Sequence, residues 1–92
     1  MKEFVTKVGS PVGLHARPAA LFAQSAKGSG CKVSLAKISE DGSESALVDG
    51  ASILKIMSLG IKCGESIRVQ VEGENESVAA DALQAIVESS DH

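Results

Sequence analysis

Aromatic side chains are nearly missing from this chain. Phe4 and Phe22 carry the only benzene rings among its 92 residues, and there is no Trp or Tyr. Binding single-stranded nucleic acid by base stacking needs such rings, as does a sheet that reads RNA bases, so both classes are excluded. Val, Ile, Leu and Ala must then fill any core. Positive charge is also scarce. Nine Lys and Arg stand against twelve Asp and Glu, a net −3. Contacts to nucleic-acid phosphates need a basic surface, so no nucleic-acid partner is expected. The two cysteines, Cys31 and Cys63, lie far apart with no CxxC and no Cys/His cluster. That excludes the usual zinc spacing, and no metal is expected. Their apolar neighbours read as those of small buried free thiols. No apolar run approaches the roughly 18 residues of a membrane span. Lys2-Glu3 follow Met1 with no apolar segment behind them, so no secretory signal is read. A cytoplasmic protein without membrane insertion is the expectation.

What is present is patterned. Apolar residues make up 43% and charged residues 23%, the balance of a folded domain, and residues 1–92 are read as one. Phe4, Thr6 and Val8 alternate with Glu3, Val5 and Lys7, a first strand with Phe4 and Val8 inward. Gly9-Ser10-Pro11-Val12-Gly13 breaks it. A helix is predicted from Ala16 to Lys27, burying Pro18/Ala19, Phe22, Ala23 and Ala26, with Leu21 beside that stripe. Gly28 is predicted as its left-handed cap. Cys31, Val33 and Leu35 alternate with Lys32, Ser34 and Ala36 in a second strand. The polar turn Ser39–Ser43, with Asp41-Gly42 at its centre, predicts a hairpin into a third strand over Glu44–Val48. Asp49-Gly50 turns the chain again.

A short helix is predicted from Ser52 to Leu59, closed by Gly60. Five of the residues from Ile53 to Leu59 are apolar. A short surface helix buries one stripe, here Ile56 and Leu59. Ile53, Leu54 and Met57 are left over, a cluster that suits a partner patch. Ile67, Val69 and Val71 alternate with Ser66, Arg68, Gln70 and Glu72 in a fourth strand. A last helix runs from Glu76 to Glu88, with Ala79, Ala82, Leu83, Ile86 and Val87 inward and Glu74 and Glu76 at its positive end. Residues 89–92 read as a frayed tail, and His92 as inert. The order is β-α-β-β-α-β-α, an α+β fold. Strands with one apolar face are satisfied by an antiparallel sheet with helices on that face.

The chemistry concentrates in Gly13-Leu14-His15-Ala16-Arg17-Pro18-Ala19-Ala20. Pro18 falls in a first helical turn, where its missing N–H costs nothing. His15 therefore stands at a helix N-terminus, where the backbone N–H groups of Ala16 and Arg17 lack intrahelical partners. Those donors and the dipole stabilise an anion by about 0.3–1 kcal/mol, up to about 2 in good geometry. Arg17 adds a permanent charge whose fork fits phosphate oxygens. By itself a histidine before a helix marks no site; beside an anion site it is placed to become a transient phosphohistidine. Arg17 and the helix end both push its pKa down, keeping the imidazole neutral and nucleophilic.

Leu14-His15-Ala16-Arg17-Pro18-Ala19-Ala20 resembles the active-site motif of HPr, the histidine-containing phosphocarrier of the phosphoenolpyruvate-dependent sugar phosphotransferase system. The resemblance runs along nearly the whole chain. It implies an open-faced β-sandwich, a four-stranded antiparallel sheet in order 1-4-2-3 with three helices on one face. It also implies a carrier rather than a turnover enzyme, without cofactor and acting as a monomer. The residue matching the family's histidine, His15, would accept a phosphoryl group on Nδ1 from enzyme I and donate it to the A domain of a sugar permease. Arg17 would stabilise the phosphate. Ala16, Ala20, Ile53, Leu54 and Met57 would form the partner contact. Ala51–Gly60 resembles the family's second conserved block, and Ser52 matches its regulatory serine, the target of a serine kinase and phosphatase in some branches. Read from its position, Ser52 is a helix N-cap; the two roles are compatible. Two features depart from the family. The His15–Ser52 spacing is several residues longer, which places the extra residues in the Ser39–Ser45 hairpin, away from the site. Ala51 stands where many members carry a lysine, which bears on kinase recognition. A regulatory binding module of the same fold, acting through Ser52 on transcriptional or metabolic proteins, is the alternative function. An unrelated sandwich that binds a small molecule is a third.

Overall fold

The sheet is built on its fourth strand. Ile67, Val69 and Val71 have no accessible surface, and a strand buried this deeply needs its backbone N–H and C=O groups paired on both edges. β4 (Ser66–Glu72) has both: β1 (Lys2–Lys7) and β2 (Lys32–Ile38). This is a computed structural model, and it describes residues 1–9, 13 and 16–89, with only the backbone of Ala16. Its elements follow the expected order, with α1 (Ala16–Gly28), β3 (Val48–Asp49), α2 (Ile53–Ser58) and α3 (Glu76–Glu88). The four strands pair antiparallel as β1-β4-β2-β3. The register aligns Phe4, Val69 and Leu35 across three strands, and sets Val71 opposite Val33. These side chains share one face, because successive residues alternate.

The helices cover that face. α3 packs on β1, β4 and α1, while α2 packs on α1 and β3. α1 buries Pro18, Ala19, Phe22, Ala23 and Ala26, the stripe read from helical spacing. Phe22, Leu35, Ile56, Ile67 and Leu83 are among the largest fully buried side chains. Removing each from water contributes about 1.5–3 kcal/mol. The outer face is polar. There Arg68 donates to Glu44 at 2.7 Å and to Glu3 at 2.9 Å, and Gln70 donates to Glu3 at 2.8 Å.

Several expectations shift. The third strand is Val48–Asp49, not Glu44–Val48. Of the predicted strand, Val48 still pairs with Leu35, and an isolated bridge joins Glu44 to Ile38. Side-chain bonding breaks the ladder: the Ser45 hydroxyl takes the Lys37 N–H at 2.9 Å and donates to the carbonyl of Ala46. α1 runs on through Gly28, and Gly30, at φ +72°, makes the left-handed turn. Ser29 closes this end, donating to the Ala26 carbonyl and accepting from the Cys31 N–H. In α3 the buried stripe is Ala79, Ala80, Leu83 and Val87, and Ala82 is exposed. One residue before Leu83, Ala82 is turned about 100° from it. Ala36, predicted outward, is buried opposite Arg68. Neither cysteine is fully buried: Cys31 is half-buried and Cys63, in the turn before β4, is exposed.

Candidate functional site

α1 begins at Ala16, as the sequence predicts, and Arg17 is exposed in its first turn. That turn carries no acidic residue, and the helix has its lysine, Lys27, in the last turn. A cation at the positive end of a helix opposes the dipole. A negative partner for Arg17 at this helix end would relieve that opposition. Pro18 is buried in this same turn, which fixes the direction in which α1 leaves the loop. His15 and Leu14 lie outside the described residues, as does the side chain of Ala16.

Two glycines ahead of His15 lie against distant backbone, a role the sequence did not reveal. Gly9 donates to the Val87 carbonyl at 2.9 Å, and a Cβ there would collide with the Glu88 backbone. Gly13, buried at φ +73°, leaves no room for a Cβ, which would run into the Ile61 carbonyl and meet Lys62 Cα at 2.9 Å. Gly9 thus rests on the end of α3, and Gly13, where the motif begins, rests on the turn that follows α2. The only signal in the sequence was a glycine at each edge of the loop. It indicates a turn but not what the backbone touches.

α2 presents the second group of predicted residues. Ser52 is its N-cap, with the hydroxyl accepting the Lys55 N–H at 3.4 Å. Ile56 is buried and anchors the helix. Leu54 is 80% exposed and Ile53 39%. Met57 is half-buried and packs against the core, and Ala20 of α1 is half-buried. The packing of α1 on α2 brings these two helices together. Ile53 and Leu54 are therefore free apolar surface, while Met57 divides its side chain between core and rim. The Ser39–Ser45 hairpin does not stand off by itself. Ser39, Glu40 and Asp41 share a groove with Lys62, Cys63 and Glu65, in the turn that seats Gly13. Among the described residues, no helix is long and apolar enough to cross a membrane.

A family model described as "PTS HPr component phosphorylation site" matches residues 2–89. The chain is 39% identical over 88 residues to phosphocarrier protein HPr of Mycoplasma pneumoniae, covering 96% of this chain and 94% of that protein. It is also 39% identical over 88 residues to the HPr-like protein Crh of Halalkalibacterium halodurans, covering 96% and 98%. The crystal structure of phosphocarrier protein HPr from Bacillus anthracis superimposes with a TM-score of 0.81 at 37% identity, covering 94% of this chain and 95% of that one.

Proposed function

Because the chain belongs to the HPr phosphocarrier family of the phosphotransferase system, we propose that it carries phosphate on His15, from enzyme I to the A domains of sugar permeases. The observation that carries this reading is Arg17, exposed in a first turn of α1 that holds no acidic residue, two positions after the only histidine besides the last residue. In the forward step the Nδ1 lone pair of neutral His15 forms a bond to phosphorus. The bond between phosphorus and the donor breaks, and its electrons leave with the donor. The second step repeats this toward the permease. Such transfer depends on in-line placement and on offsetting charge at the phosphoryl oxygens. Arg17 and the free amides of Ala16 and Arg17 supply the second. Ala16, Ala20, Ile53, Leu54 and Met57 supply the contact, small enough for a partner to leave after transfer. Incubation with enzyme I and phosphoenolpyruvate should label the wild type and leave His15→Ala unlabelled; equal labelling of both overturns the reading.

A second reading has a specific observation behind it. The Ser52 hydroxyl caps the helix that displays Ile53 and Leu54, so a phosphate there would place a charge near −2 beside the apolar contact. Under this reading a serine kinase and phosphatase set that charge, and transcriptional or metabolic proteins read it. Ser52→Ala would then lose regulatory binding that His15→Ala keeps.

A further inference from the structure

The turn between α2 and β4 takes no part in the reading above, yet Val8 and Gly13, both ahead of His15, rest on it. Val8 donates to the Glu65 carbonyl at 2.9 Å and accepts the Gly64 N–H at 3.1 Å. Gly13 lies against Ile61 and Lys62. The turn is in turn held by an ion pair that is mostly shielded from water. Glu65 Oε1 accepts the Lys62 N–H at 2.8 Å and lies 3.6 Å from Lys37 Nζ. Lys37 Nζ also donates to the Gly60 carbonyl at 3.5 Å. The two side chains keep only 13% and 23% of their exposure, less open than the Arg68 pairs on the outer face. One carboxylate therefore holds the turn at Lys62 directly and at Gly60 through Lys37.

We propose that Gly13, Lys37 and Glu65 are positioning residues for phosphoryl transfer. The Lys37–Glu65 pair fixes the Gly60–Glu65 turn. The turn fixes Gly13, and Gly13 fixes where the chain enters α1 and so where Arg17 stands. This rests on the phosphocarrier reading. None of the three has to touch phosphate; they act through backbone placement. Transfer is sensitive to such placement, since an error of about 1 Å far from the chemistry can cost on the order of 10²-fold in rate. Gly13 is suited to the task because its positive φ and the close backbone of Ile61 together exclude any side chain.

The test uses the full chain as the substrate of enzyme I charged by phosphoenolpyruvate, well below the melting temperature of every variant. Gly13→Ala and Glu65→Ala should lower kcat tenfold or more. KM should stay within twofold, because the exposed Ile53 and Leu54 surface is unaltered, and end-point labelling should match wild type. Glu65→Gln, whose amide oxygen still accepts the Lys62 N–H, should recover most of the rate. Wild-type kcat in both alanine variants, or a loss confined to KM, overturns the proposal. If Gly13→Ala does not fold, the Glu65 pair of variants decides by the same criteria. A wild-type protein that takes no label removes the phosphocarrier reading and this inference with it. A labelled wild type with unaffected variants removes this inference alone.

Discussion

Leu54 and Ile56 stand two residues apart on one short helix and should fail in opposite ways. Leu54 is 80% exposed, and Ile56 has no exposure. Burying a leucine side chain fully contributes about 1.5–3 kcal/mol. With most of that surface still in water, docking can recover roughly 1–2.5 kcal/mol, or about 5- to 60-fold in affinity. Leu54→Ser should therefore raise the KM of enzyme I for this protein by about that factor, while changing stability by less than about 0.5 kcal/mol, as surface substitutions do. Ile56→Ala should cost about 2–5 kcal/mol of stability, because it opens a cavity beneath α2. Below its melting temperature, its KM should remain near wild type. Urea denaturation followed by far-UV circular dichroism reads the stability term; initial rates of phosphoryl transfer against protein concentration read the other. A Leu54→Ser protein with unchanged KM would show that the apolar surface of α2 is not a docking face, and the assignment of Ile53 and Met57 would fall with it.

Three further outcomes are expected. Ser52→Ala removes a cap whose hydrogen bond is long, 3.4 Å, so a loss of about 0.5–1 kcal/mol in urea denaturation is expected; no loss would mean that the hydroxyl is not a cap in solution. Gly50→Ala puts a Cβ 2.6 Å from Val33 Cγ1 and 3.2 Å from Phe22 Cε1, so overpacking should cost about 1–3 kcal/mol, and a neutral result would mean that β3 moves aside freely. The Gln70 amide, with the Arg68 guanidinium, holds the Glu3 carboxyl below the usual carboxylate range. As pH falls, the unfolded chain therefore takes up this proton first. The contribution is complete above the ordinary carboxylate value and is lost as pH drops through the lower folded one. The urea midpoint of wild type should exceed that of Arg68→Gln at pH 7, and the gap should close below about pH 4; a gap that does not change with pH refutes the assignment.

Much of this protein was legible in one dimension because its elements are amphipathic. Alternation at Ile67, Val69 and Val71 fixed the face of β4, and helical spacing at Phe22, Ala23 and Ala26 fixed the face of α1. Both are local periodicities set by backbone geometry. Ser52 was readable as a cap for the same reason, since a cap bonds only to its own helix. The family resemblance supplied what periodicity lacks, the strand order, and it also carries the proposal for His15. Elements failed where local and distant bonding competed. The third strand shrank because the Ser45 hydroxyl satisfies Lys37 in place of a ladder partner, and nothing in Glu44–Val48 announces that choice. Ala82 and Ala80 are chemically identical, so only the roll of α3 against α1, β1 and β4 could say which one is buried. Gly9 and Gly13 read as turn residues. That one lies on the end of α3 and the other on the Ile61–Lys62 backbone depends on contacts between segments far apart in the chain. A single sequence records which residues tolerate such approaches but not which backbones make them.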